Sequence, residues 1–387
     1  MSSVQAFEWL QSDATQLIIS MFKGADQTAY FVGGCVRNSL MGVPVTDLDV
    51  STPMRPEAVM TLAKSVGLKA IPTGIEHGTV TVVAHGEPFE ITTFRRDVAT
   101  DGRRAVVAFA DHLDEDACRR DFTMNALYVD LDGTVLDPLG GMSDLKARKV
   151  RFIGQPQDRI CEDYLRILRF FRFHAVYGND ETGLDPDALA ACAEHLDGLD
   201  SLSKERIGAE MIKLVAASDP STAIGAMEAS GVLRAILPGA SGRSLYPYIS
   251  QEFHIDPMAR LAVLGGEDAD RRLKLSKKQA VRLALFKDAI GNAVSLDEIA
   301  YEEGADIALC VAALRAAVFE QPLPSGAAAQ IARASDQEFP IKAQDLMPAY
   351  SGADLGAALK MLQRAWLDSG FALTKAKLLN ILEAKSQ

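Results

Sequence analysis

An α+β fold is what this sequence predicts: a small mixed-sheet head followed by an all-helical neck, body and tail. Short β-rich runs punctuated by glycine turns fill the chain up to about residue 138. Beyond them strand signals nearly vanish and helical spacing recurs. A length of 387 residues with 48% hydrophobic content is enough for a substantial core divided over two to four domains. The boundaries that follow are 1–142 for the head, 143–200 for the neck and 201–387 for the body and tail.

In chain order, residues 5–23 have the spacing of one amphipathic helix, followed by an apolar strand ending at Val32. Gly33-Gly34 then turn the chain into a helix starting near Val36. "DLDV" is a short strand, and the turn signals around Pro53 open another helix. "GTVTVVAHG" (78–86) and "PFEITTFR" (88–95) form a hairpin turning at Gly86, and "ALYVDLDGTVLDP" (126–138) forms a second one turning at Asp132-Gly133. Weak periodicity between Arg96 and Asp116 suggests a mobile loop. "DPLGG" (137–141) closes the head. "EDYLRILRFFRFHAV", "SKERIGAEMIKLVAA", "STAIGAMEASGVLRAIL", "KKQAVRLALFKDAI" and the alanine-rich C-terminal third then carry helical spacing without a fixed repeat.

Composition narrows the function. A net charge of −12 argues against indiscriminate nucleic-acid binding, so any such contact must come from local patches. Residues 143–172 hold eight Lys/Arg against four Asp/Glu, and residues 271–287 hold seven Lys/Arg and no acid, which is either a binding patch or a solvated helix face. Five widely spaced cysteines without a CxxC pair suggest neither a disulfide framework nor a structural zinc site, and a reducing cytoplasm fits them. The amino-terminal stretch lacks a basic region followed by an apolar one, and the apolar run Ile307–Leu314 is too short to span a bilayer, so neither secretion nor membrane insertion is expected. The six histidines show no ligand-like spacing.

Side chains on a strand alternate faces, so Asp47 and Asp49 project together. Two carboxylates held this close repel unless a cation lies between them, and oxygen-only ligands suit Mg²⁺. Two such ions would flank a phosphorus, activating the attacking hydroxyl and neutralising the leaving group. Gly33 and Gly34 let backbone approach a ligand closely, the following helix aims its first N–H groups at an anion, and Arg37 adds a guanidinium. Together these are the needs of a metal-chelated triphosphate. Glu90, alternating with Phe89 and Ile91, either joins the pair as a third carboxylate or is a solvated strand residue.

"GGCVRNSLMGVPVTDLDVST", "RRDFTMNAL" (119–127) and "EDYLRILRFFRF" (162–173), in this order and with "FEITTFR", "DPLGGMSDLKARKVRFIG" and "LSKERIGAEMIKL", resemble the signature motifs of the bacterial-type tRNA nucleotidyltransferases and their poly(A) polymerase relatives. The resemblance runs through about the first 215 residues. It implies a nucleotidyltransferase head with Asp47 and Asp49 as metal ligands, Gly34 and Arg37 on the triphosphate, and Arg120 beside Asp121 on the nucleotide. It also implies that Asp163, Arg166, Arg169 and Arg172 meet the incoming nucleotide from the neck. Asn38 departs from the family pattern, which usually has an aspartate there, so neutral hydrogen bonds would replace any ion pair. The four neck residues step back about 60° each on a helix, making a ridge that sweeps round it.

Cytosine and adenine both offer an amino donor next to an unprotonated ring nitrogen, whereas uracil and guanine offer a carbonyl next to an N–H. A carboxylate beside a guanidinium, Asp163 with Arg166, accepts the first pattern and rejects the second. The expected activity is addition of the 3′-terminal CCA to tRNA from CTP and ATP without a template, with a poly(A) polymerase or a CC-only or A-only enzyme as the alternative. The tail would grip the acceptor arm through phosphate contacts of Lys274, Lys277, Lys278 and Arg282.

Overall fold

The computed structural model describes residues 7–100 and 105–385, which form two compact units: the residues up to Ala240 together with Glu267–Lys274, and Ser241–Gly266 together with the residues from Leu275 on. In the first unit nine strands are present: β1 (Tyr30–Val32), β2 (Leu48–Thr52), β3 (Lys69–Gly74), β4 (Thr79–Ala84), β5 (Glu87–Thr93), β6 (Arg95–Thr100), β7 (Ala105–Phe109), β8 (Tyr128–Asp130) and β9 (Val135–Leu136). Seven of them make one mixed sheet in the order β3-β4-β5-β2-β1-β8-β9. Every neighbouring pair is antiparallel except β2 with β5. Helix α1 (Asp13–Gly24) precedes β1, α2 (Gly34–Met41) follows β1 and α3 (Pro56–Ser65) follows β2; α1 and α3 pack on the sheet. Ile18, Phe22, Val59 and Ala63 of the helices and Phe31, Val50, Val80 and Ile91 of the strands are all at most 1% exposed, so burial of this apolar layer holds the head together.

The single helix expected over 5–23 is broken. Glu8–Gln11 is a 3₁₀ turn, Ser12 is extended, and its hydroxyl accepts the Thr15 N–H at 3.2 Å to cap α1; residues 5 and 6 lie outside the described part. Helix α2 begins at Gly34, earlier than expected, because Gly33 takes φ +73° and so turns the chain directly into it. The stretch expected as a mobile loop is a two-stranded ribbon, β6 with β7, followed by α4 (Leu113–Cys118). A register shift between Asp97 and Ala99 breaks the alternation that would have marked it; residues 101–104 of that stretch lie outside the described part. Strand β3 has no sequence signal, since Pro72 argues against a strand, yet a proline is tolerated on the sheet's edge, where β3 lies. The hairpin β4–β5 turns at His85-Gly86, both with positive φ, and β8–β9 turns at Asp132-Gly133, where Asp130 Oδ1 accepts the N–H groups of Asp132 and Thr134.

Helices α5 (Gly141–Lys146), α6 (Pro156–Glu162), α7 (Leu165–Tyr177), α8 (Pro186–Glu194) and α9 (Lys204–Val215) continue the first unit. Gly141 has no room for a side chain: a Cβ there would lie 2.1 Å from the Thr123 carbonyl oxygen. Phe122, Phe152, Phe170 and Phe173 form an aromatic cluster, with Phe122 and Phe173 centroids 4.8 Å apart, and so seat α7. The second unit is helical, with no strand among its described residues. One of its cores gathers Tyr301, Phe339 and Phe371 round Trp366. No helix among the described residues is long and apolar enough to cross a membrane.

Candidate active site

Strands β2 and β5 run parallel and in register, so Asp49 lies directly beside Glu90, with Thr81 of β4 on the far side of Glu90. Asp47 precedes the first residue of β2. With Leu48 and Pro88, these residues line a cleft of about 530 Å³. Burial pushes the Asp49 carboxyl up to about 6, and the Glu90 and Asp47 charges push the same way against the pull of Arg120. Three carboxylates crowded round one space are an acceptor-only donor set. A hard divalent cation fits that set, and the raised Asp49 carboxyl is what such a set shows without its positive charge.

Gly33 begins the turn into α2, beside Arg120. A Cβ there would approach Arg120 Nη1 to 3.4 Å, so the glycine leaves the guanidinium its place. Arg120 donates to the Tyr128 hydroxyl at 3.0 Å, to Ser51 Oγ at 3.2 Å and to Asp116 Oδ2 at 3.1 Å. Asp116 is fully buried and also accepts from Arg119 at 2.8 Å and from the Tyr128 hydroxyl at 2.9 Å. Burial alone would raise its carboxyl, but Arg120 and Arg119 outweigh this and hold it below the usual range. Asp116 therefore fixes Arg120 as a cation next to Asp49.

Arg37 faces inward. Its guanidinium, on a side chain only 6% exposed as a residue, donates to Asn125 Oδ1, to Asn38 Oδ1 at 2.8 Å and to the Tyr177 hydroxyl at 2.7 Å, and lies 4.0 Å from the centroid of the Tyr177 ring. It ties α2 to α7. Asn38 supplies neutral bonds here, accepting from Arg37 and donating to the Pro44 carbonyl at 2.9 Å.

The neck residues do not form one helical ridge. Asp163 is extended (φ −154°, ψ 105°) in the break between α6 and α7, so its side chain is placed by contacts rather than by helical geometry. Its Oδ1 accepts the Leu165 N–H at 3.1 Å, and its Oδ2 accepts from Arg206 of α9 at 2.7 Å. Arg166 pairs with Glu162 and donates to the carbonyls of Arg159 (2.8 Å) and Arg119 (3.2 Å). Arg169 holds Asp121 at 2.8 Å, and Arg172 pairs with Glu210 of α9 at 2.6 Å. Burial would raise the Asp121 carboxyl, but Arg169, Asn125 and the Phe122 N–H bring it down to about 2.

Six of the eight cations in 143–172 are thus paired within the unit: Lys149 with Asp185, Arg151 with Asp144, Arg159 and Arg166 with Glu162, Arg169 with Asp121, and Arg172 with Glu210. That basic stretch is mostly internal scaffolding. Sequence spacing missed Asp116, Glu162, Arg206 and Glu210; Asp116 left a trace, lying three and four residues before Arg119 and Arg120, and so did Glu162, three residues after Arg159 and four before Arg166.

Residues 29–151 match the family model of the poly A polymerase head domain, and residues 183–242 match that of the probable RNA and SrmB-binding site of polymerase A. The mitochondrial CCA tRNA nucleotidyltransferase 1 of Homo sapiens is 33% identical over 97% of this chain and 91% of its own length. The chain belongs to the CCA-adding enzyme family. The CCA-adding enzyme of Geobacillus stearothermophilus is 39% identical over 58% of this chain and 54% of its own. The crystal structure of the Bacillus stearothermophilus CCA-adding enzyme in complex with CTP superposes with a TM-score of 0.76 at 28% identity, over 97% of this chain and 99% of that one. The Thermotoga maritima CCA-adding enzyme complexed with tRNA shares the fold, with a TM-score of 0.69 at 16% identity over 98% of each chain.

In the second unit of this CCA-adding family member, Lys277 and Lys278 are exposed at the start of the helix Lys277–Gly291, while Arg282 is taken up by Asp256, donating to it at 2.6 Å. Lys274 belongs to the first unit and is exposed. Folding also brings His254, Asp256 and Cys310 within 4.8 Å of one another, a grouping the histidine spacing does not announce. Both Asp256 oxygens are already occupied there: Oδ1 by the N–H groups of Met258 and Ala259, and Oδ2 by two guanidinium nitrogens of Arg282. That fills the carboxylate's four acceptor positions, so the acidic cleft of the first unit is the better cation site.

Proposed function

We infer that the chain adds the 3′-terminal CCA to tRNA from CTP and ATP without a nucleic-acid template, the tRNA 3′-hydroxyl displacing pyrophosphate from the nucleotide α-phosphorus in line. The observation that carries this is the in-register placement of Asp49 beside Glu90, with Asp47 on the same cleft, in a member of this family. Asp47, Asp49 and Glu90 would hold the divalent cation, Mg²⁺ by their hard oxygen donors. When bound, that ion lowers the charge of the triphosphate and favours ionisation of the attacking hydroxyl. The first N–H groups of α2, opened by Gly33 and Gly34, face the triphosphate, and Arg120, held by Asp116, adds its charge. Arg37 supports this arrangement by tying α2 to α7.

Asp163 and Arg166 read the base through its donor and acceptor pattern, while Arg169, Arg172 and Asp121 keep α7 in place beside them. We assign residues 1–142 to a catalytic head, 143–200 to a base-reading neck, and 201–387 to a body and tail in which Lys274, Lys277 and Lys278 contact the acceptor arm; Arg282 is paired with Asp256 within the second unit. The cysteines are free thiols, which suits the reducing cytoplasm.

Incubating the protein with tRNA ending at its discriminator base decides the activity. CTP alone should add two residues, and CTP with ATP should complete CCA. A long adenosine tail from ATP alone would make it a poly(A) polymerase. Arrest after CC, or extension only of tRNA already ending in CC, would make it a partial enzyme.

A further inference from the structure

The two side chains assigned to base reading are held by different parts of the unit. Arg166 is fixed from below by Glu162 of α6 and by the carbonyls of Arg159 and Arg119. Asp163 sits outside any helix, and the charged group that orients it comes from α9: Arg206 Nη2 donates to Asp163 Oδ2 at 2.7 Å. Arg206 lies in the first turn of α9, where its own N–H caps onto Ser203 Oγ at 3.4 Å. A cation is unfavourable at that end of a helix, so its carboxylate partner accounts for its placement.

Helix α9 is itself anchored. Glu210 pairs with Arg172 at 2.6 Å, and Gly208 packs so tightly that a Cβ would lie 1.9 Å from the Leu273 carbonyl oxygen. Arg206 and Glu210, four residues apart, share a face of that helix. Each Asp163 oxygen accepts one bond in this arrangement, from the Leu165 N–H and from Arg206, and each retains a second lone pair.

We propose that Arg206 is a positioning residue for base selection: it clamps the Asp163 carboxylate so that a remaining lone pair faces the amino group of cytosine or adenine. The proposal rests on the base-reading role of Asp163. Without the clamp the carboxylate turns on its side-chain torsion, and the register that excludes uracil is lost.

The test is single-nucleotide addition to tRNA ending at its discriminator base, with CTP and with UTP, by wild type, Arg206→Ala and Arg206→Lys. Loss of one charged hydrogen bond predicts that Arg206→Ala reduces the CTP-over-UTP preference about tenfold. The loss should appear as a raised KM for CTP more than a lowered kcat, and Arg206→Lys should recover part of it. Arg206→Met, which keeps the aliphatic stem, replaces the alanine variant if that one fails to fold. An active variant with undiminished preference overturns the proposal. So does a lower KM for CTP, which would make the Arg206–Asp163 pair a latch that the nucleotide must break. A wild type that does not distinguish CTP from UTP removes the base-reading role itself, and the proposal with it.

Discussion

Asp49 stands at about 6 because of burial and the charges of Glu90 and Asp47, so in the absence of a divalent cation it weakens the fold. Its folded pKa lies above the unfolded one, so the penalty grows as pH rises from about 4 through 6 and is complete above that, up to about 3 kcal/mol. Asp49→Asn should therefore raise the melting temperature at pH 8 in chelator and leave it unchanged near pH 4, while Asp47→Ala and Asp49→Ala should abolish CTP incorporation; substantial turnover by either alanine variant would contradict the metal assignment. Asp121 has the opposite sign. Its carboxyl is lowered to about 2, so its contribution is full above about pH 4 and fades as pH falls towards 2, about 2 kcal/mol in all. Asp121→Asn should lower the melting temperature at neutral pH and converge with wild type in acid. Local spacing made Asp47, Asp49, Gly33 and Gly34 visible in the sequence. The pairs Asp163–Arg206 and Asp121–Arg169 join residues 43 and 48 positions apart, and no periodicity encodes who meets whom at that distance.

At the scale of elements, α9 is a rack whose position decides where Asp163 and Arg172 sit. Gly208→Ala should lower the global stability by about 2–3 kcal/mol by driving α9 off the Leu273 carbonyl, read by thermal melting. Gly225→Ala, in the helix Ser221–Ala229 with nothing within 4 Å of the added carbon, should be neutral or slightly stabilising. The long helices and both hairpins were legible because their apolar periods and turn residues agree. Besides the edge strand β3, three features were not. Ser12 and Asp163 interrupt runs whose spacing continues across the break, and the shifted ribbon β6–β7 loses its alternation. In each case local hydrogen bonding or a bulge overrides the pattern.

Over the whole molecule, a net charge of −12 leaves polyanion binding to few exposed cations. Composition picked out two basic stretches, but could not reveal that the first is largely neutralised from within, because its carboxylate partners are scattered along the chain. Lys277 and Lys278 remain exposed, so reversing both charges should raise the KM for tRNA and flatten its dependence on salt; an unchanged salt slope would place the RNA elsewhere. The parallel pairing of β2 with β5 also dictates where the chain tolerates changes of length. Extra residues at the His85-Gly86 bend would merely lengthen a solvent-facing connection. One residue inserted between Pro88 and Glu90 would turn that carboxylate to the opposite side of the sheet, into the apolar layer. Insertions are therefore tolerated at the bend and fatal to catalysis three residues later.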